Sequence, residues 1–129
     1  AEWEYAARGG AKSRGFEYSG SYTLDEVSWC NMNSAKTHPV GQKKPNELGL
    51  YDMSGNVCEW CQDWYGEDYY AKSPSSDPTG PSSGRDRVVR GGSWHVIPVG
   101  CRSSHRSGST PVSTDFDLGF RVVESFPLD

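Results

Sequence analysis

Apolar residues recur at helical spacing at the start of the chain. Trp3, Ala6 and Ala7 fall on one side of AEWEYAAR and predict a helix over residues 1–8. RGGAKSRG follows as a turn-rich connection. TLDEVSWCN predicts a short second helix, with Thr23 as N-cap and Glu26 three residues later, the spacing of a capping box. From Asn33 to Asn46 the chain is polar and irregular. NVCEWCQDWY, dense in rings, reads as a strand, and RVVRGGSW as a strand ending at Gly91–Gly92. CRSSHR reads as a short strand and LGFRVVES as a terminal one. GEDYYAKSPSSDPTGPSSGRD carries three prolines and no period, a loop of the length that is usually functional or mobile. One segment has neither period. HVIPVG, directly after GGSW, sets Val96, Ile97 and Val99 beside a proline, as core or as a surface made to touch something.

Composition fits this picture of short strands, few helices and long loops. The 129 residues suffice for one domain, and hydrophobic content is 34%, against roughly 45–50% in ordinary globular domains. Five tryptophans predict a core built from rings rather than aliphatics. Fifteen glycines and eight prolines argue against a helical bundle. A net charge of −4 speaks against nucleic acid as a partner, since phosphate binding needs a basic surface. No stretch approaches the roughly 18 apolar residues of a membrane span, so no membrane insertion by this segment is expected. AEWEYAAR has no cap before Ala1, and an upstream segment is expected.

The candidate chemistry is sparse. Cys58 and Cys61 form a C-x-x-C, but in a strand the two side chains point to opposite faces and would not meet. Ordinary buried thiols are the expectation for them. YDMSGNVCEW is more informative: Asp52 and Glu59 flank a glycine-containing turn, and calcium takes carboxylate and backbone oxygens together. The alternative is a turn with two solvated carboxylates. His38, His95 and His105 are scattered, with no zinc spacing. There is no G-x-S-x-G elbow and no phosphate loop.

AEWEYAARGG, PVGQKKPNELGLYDMSGNVCEWCQDWY, RVVRGGSW and LGFRVV, in that order and spacing, resemble the formylglycine-generating enzyme (sulfatase-modifying factor) family. The resemblance covers nearly the whole chain. It implies an α+β, C-type lectin-like fold with much irregular structure, and makes residues 1–129 the C-terminal part of a single domain with further residues upstream. It also implies calcium at the turn: Asp52 and Glu59 through side chains, Gly55 and Val57 through carbonyls. Catalysis does not carry over. The family's aerobic enzymes place two copper-binding cysteines soon after RGGS, where this chain reads WHVIPVG. No copper is expected and no catalytic residue is assigned, and Cys101 resembles a structural cysteine of non-catalytic relatives.

A narrower resemblance is to retroelement-diversified variable proteins of this fold. Their frame RGGSW…CRS…R…TP…GFR is matched by Arg90–Trp94, Cys101–Ser103, Arg106, Thr110–Pro111 and Gly119–Arg121. Diversification at adenines of AAY codons never yields Lys, Glu, Gln, Met or Trp, and none of these occurs from His95 through Asp117. The resemblance makes 90–121 a variable ligand-binding region. Its contact residues would be His95, Val96, Ile97, Val99, Gly100, His105, Ser107, Ser109, Val112, Ser113, Phe116 and Asp117. A protein or peptide ligand, and a place at the cell surface or outside the cell, are implied. The alternative packing buries Val96, Ile97 and Val99 against the 66–84 loop. The alternative functions are a sulfatase-modifying oxidase and an accessory domain of a related oxidative enzyme.

Overall fold

The first helix, α1, is Glu2–Ala7 in the computed structural model, which describes residues 1–124. Ala7 is buried and Trp3 and Ala6 half-buried, as their spacing requires. The second helix, α2, is Leu24–Val27, and Thr23 sits at its N-cap position without a side-chain cap bond. The capping box is displaced by two residues. Ser21 Oγ accepts the Thr23 N–H at 2.9 Å and donates to Glu26 Oε2 at 2.9 Å. Ser21 thus takes the N-cap N–H that the Glu26 carboxylate takes in a capping box, while the Glu26 N–H donates to the Thr23 carbonyl at 3.2 Å.

Four strands form one mixed sheet in the order β3-β2-β1-β4: β1 Cys58–Trp64, β2 Arg87–Arg90, β3 Arg106–Ser109 and β4 Leu118–Gly119. β1 and β2 are antiparallel, as are β2 and β3, while β4 runs parallel to β1. Two of the expected strands are corrected. CRSSHR is not one, because Pro98 at the head of a 3₁₀ turn, Pro98–Cys101, fixes a helical φ, and pairing begins only at Arg106. The terminal strand shrinks to Leu118–Gly119, and Ser125 lies outside the described residues. The 66–84 loop contains one helical turn, α3, Tyr69–Lys72.

The core also differs from expectation. Its buried cluster is Tyr18, Val27, Cys30 and Cys101, with Leu24 and Val96 packed against it. Ala7, Met53, Val88 and Val89 are buried elsewhere. All five tryptophans are only half-buried. A chain of this size has little room to surround an indole, and a half-buried ring can face a cation. Trp29 is stacked on His38 at 3.7 Å with Lys43 Nζ 4.1 Å from its ring, and Arg87 lies 3.5 Å over Trp64.

With few aliphatics inside, buried polar side chains join distant backbone. Asn46 Nδ2 donates to the Ala6 carbonyl at 2.8 Å, and its Oδ1 accepts from the Leu48 and Leu50 N–H groups. Ser54 Oγ accepts from the Ser19 N–H at 3.0 Å and donates to the Cys101 carbonyl at 2.8 Å. Each such bond satisfies groups whose burial unpaired would cost about 1–3 kcal/mol.

Glu59 on β1 is the most connected of these groups. It is 5% exposed. Its Oε2 accepts from Trp3 Nε1 at 2.7 Å and Arg121 Nε at 2.8 Å, and its Oε1 from Arg121 Nη2 at 2.6 Å. The carboxylate beside it raises the Arg121 guanidinium further above its ordinary range. Arg121→Ala would leave a buried carboxylate without its cation, and is expected to cost about 3 kcal/mol in urea unfolding. Glu59→Gln removes the charge together with most of the need for one, and should cost less. Gly55→Ala is expected to lower the urea midpoint as well. Gly55 has φ 77°, and a Cβ there would stand 2.1 Å from Ser28 Oγ and 2.3 Å from the Trp29 carbonyl oxygen.

Candidate functional site

The segment after β2 is held by backbone bonds to the turn at 54–56 and to α2's exit. The Gly55 N–H donates to the Gly91 carbonyl at 2.7 Å, the Trp94 N–H to the Asn56 carbonyl at 2.9 Å, and the Asn31 N–H to the Val96 carbonyl at 3.1 Å. Ser93, fully buried, donates from Oγ to Asp117 Oδ2 at 2.6 Å and accepts the His95 N–H at 3.2 Å. Gly92 takes φ 68°, and a Cβ on it would stand 2.6 Å from the Gly100 carbonyl oxygen and 2.9 Å from Cys101 Sγ. The turn therefore closes directly onto the 3₁₀ turn that follows.

Within this frame the side chains alternate. His95 is exposed, Ile97 is 58% exposed and Val99 44%. Val96 points inward and packs on the Tyr18–Val27–Cys30–Cys101 cluster. Gly100 is buried, and a Cβ there would meet Val96 Cγ2 at 3.1 Å. Of the twelve contact residues expected from the sequence, Gly100 is buried and Val96 is half-buried against the core cluster. The reason is local: a short segment pinned at both ends must bury one side chain in every two or three. Ile97 and Val99 are not covered by the 66–84 loop, so the alternative packing does not hold for them.

The remaining candidates fall into three groups. Phe116, 67% exposed, is brought beside Trp94 and His95, with ring centroids 5.2 to 5.5 Å apart. Asp117, tied to Ser93, completes this group. Val112 is 87% exposed, and Ser113 is half-buried with its hydroxyl 2.8 Å from Thr110 Oγ1. His105, Ser107 and Ser109 lie at or on β3, the opposite edge of the sheet from β4. Partial burial and the Arg90 guanidinium both push the His105 imidazole below its ordinary range. Trp94 was assigned to the fixed frame by its sequence. Its part in the aromatic group depends on Phe116, twenty-two positions on, and no local pattern reveals that.

A separate cleft of about 330 Å³ is lined by Glu4, Trp64, Tyr70, Arg90 and Arg106 among others, and by none of the twelve candidates. Its cations are engaged. Arg90 Nη2 lies 3.1 Å from both Glu4 Oε2 and the Tyr70 hydroxyl, and Arg106 Nη2 donates to the Gly66 carbonyl at 2.8 Å.

The turn at 52–59 was expected to hold calcium or to be solvated. Its two carboxylates are buried, not solvated, Asp52 at 8% exposure and Glu59 at 5%. Asp52 sits at φ 57°, its Oδ2 accepting from the Gly41 N–H at 2.8 Å while Oδ1 is buried without a partner. An orphaned carboxylate oxygen suits a cation. Glu59 is more restricted, since its three accepted bonds leave one lone-pair site of about four on the carboxylate. By donor type Asp52 Oδ1 suits calcium, whereas Glu59 could offer only Oε1, which already accepts from Arg121 Nη2 at 2.6 Å. Among the described residues no three His, Cys, Asp or Glu side chains are placed to hold a metal ion together.

All four cysteines are free thiols. Cys58 and Cys61 sit in β1, where burial pushes their thiols up to about 11 and about 12 respectively. Cys101 is fully buried, and burial pushes its thiol up to about 12. Among the described residues no helix is long and apolar enough to cross a membrane.

A small mixed sheet, short helices and a glycine-rich turn displaying side chains define an α+β domain of the C-type lectin-like kind, as expected from the sequence. The chain belongs to the sulfatase-modifying factor enzyme 1-like domain family, which matches residues 1–126. It is 42% identical over 99% of its length to the formylglycine-generating enzyme of Streptomyces coelicolor, covering 46% of that protein. It is 43% identical to the serine/threonine-protein kinase pkn1 of Chlamydia pneumoniae, over 97% of this chain and 20% of the kinase. Among solved structures, Treponema denticola variable protein 1 superposes with a TM-score of 0.79 at 41% identity, over 92% of this chain and 43% of that one. The chain spans less than half the length of each of these relatives.

The alternation of buried and exposed positions sets a stability test. Val96→Ser is expected to cost about 2 kcal/mol, because it removes apolar contact from the buried cluster and inserts a hydroxyl there. Ile97→Ser and Val99→Ser should each stay within about 0.5 kcal/mol of the parent in urea unfolding, as exposed positions do.

Proposed function

We propose that this chain is a ligand-binding domain that does no chemistry on its ligand: a retroelement-diversified variable protein that presents changeable side chains from its 90–121 region. One observation carries this reading. Where the family's aerobic enzymes bear two cysteines, this chain exposes His95, Ile97 and Val99, and the region's single thiol, Cys101, is sealed beneath them. Burial pushes that thiol well above its ordinary range, and it is the thiolate that acts as nucleophile and metal ligand. The likeness to Treponema denticola variable protein 1 supports the same reading.

The ligand would be a protein or peptide, since apolar, aromatic and polar side chains share an open face rather than an enclosed pocket. The frame of backbone bonds is ordered before binding, so little ordering cost falls on the complex. Such a face works at the cell surface or outside the cell. An upstream segment of the same domain would complete the scaffold. Calcium, if held by Asp52, Glu59 and the carbonyls of Gly55 and Val57, would neutralise the orphaned carboxylate oxygen and stiffen the turn that receives Gly91 and Trp94. A second reading is favoured by the match to a kinase of which this chain covers 20%: the domain as an accessory unit of a larger enzyme.

The expected genomic finding is a reverse transcriptase gene and an adenine-rich near-copy of the 90–121 coding stretch beside this gene. Copper titration with a cysteine-containing sulfatase peptide is expected to give no formylglycine, and turnover would overturn the reading in favour of the oxidase. Calcium at a hundred times its Kd should stabilise the fold by about 2.7 kcal/mol in urea, and Asp52→Asn should abolish that gain.

A further inference from the structure

Trp94, His95 and Phe116 form one contiguous aromatic group, with centroid separations of 5.2, 5.5 and 5.4 Å and the rings tilted or edge-on to one another. With 67% of its surface exposed, Phe116 cannot have both faces covered. His95 is exposed beside it. Two carboxylates flank Phe116 in the chain. Asp117 is fixed by the Ser93 hydroxyl at 2.6 Å, and Asp115 is exposed. Neither belongs to any ion pair among the described residues. The arginines on neighbouring segments already have anionic partners: Arg102 pairs with Glu17, and Arg121 with Glu59. The whole chain carries a net charge of −4.

Ring faces carry the negative part of the aromatic quadrupole, and carboxylates add full charge beside them. A purely apolar anchor would leave both aspartates without a cation, although the Ser93 hydroxyl already donates to Asp117. We propose that the Trp94–His95–Phe116 group, with Asp115 and Asp117, receives a cationic side chain of the protein ligand, an arginine or a lysine. This rests on the binding-face reading above and specifies the chemistry of that face's anchor. The cation lies over the exposed ring of Phe116 while a carboxylate takes its N–H groups. An arginine fits best, because its planar guanidinium can stack and donate in the same pose.

The test uses ¹⁵N-labelled protein titrated separately with the N-acetyl methylamides of arginine, lysine, leucine and glutamate, followed by NMR. The arginine and lysine compounds should shift the Trp94 indole N–H and the amides of 95 and 115–117, and bind more tightly than the leucine compound. Phe116→Leu keeps the apolar bulk and removes the ring, and should weaken arginine binding about two- to fivefold. Asp115→Asn should weaken it too, and the exposure of both residues leaves the rest of the spectrum unchanged. If the leucine compound binds as well as arginine, or Phe116→Leu changes nothing, the cation preference is wrong while the binding face stands. If no compound shifts residues 93–99 or 112–117, the anchor and the face both fail.

Discussion

A single buried carboxylate holds the two ends of this chain to its sheet. Glu59 leaves β1 toward the interior and receives Trp3 from the first helix and the fork of Arg121 from the C-terminal segment. A domain with this few buried aliphatics cannot rely on area alone to bring residues 3, 59 and 121 together. Charge-assisted hydrogen bonds supply direction that apolar contact lacks. The arrangement is also exacting, since the same low dielectric that strengthens the pair penalises either partner left alone.

The interior follows the same logic. Asn46, Ser19 and Ser54 reach backbone groups 12 to 47 residues away, and so fasten irregular segments to one another and to α1. Arg90 does the same, joining Glu4, Tyr70 and the backbone at 103 and 105. Loops tied in this way are rigid enough to display side chains in fixed positions, although they contain little regular structure.

Much of this was legible in the sequence. The spacing of Trp3, Ala6 and Ala7 gave the first helix, the ring-rich run gave β1, and Gly91–Gly92 ended β2. The motifs quoted in order identified the family. What escaped was decided by contacts distant in sequence. Trp94 and Phe116 meet only because β4 pairs with β1. Whether Glu59 was a solvated carboxylate or a buried hub depended on Arg121, sixty-two positions away. The tryptophans were mistaken for core because composition records how many rings there are, not how much of each the fold can enclose. Composition does not separate Val96 and Gly100 from their exposed neighbours, since only the fold decides which of them meet the interior.

That separation limits what evolution can try here. Every substitution that enters at 96 or 100 is first screened for fit to what lies beneath it, the Tyr18–Val27–Cys30–Cys101 cluster at 96 and the Val96 side chain at 100. Positions 95, 97 and 99 face solvent and escape that screen.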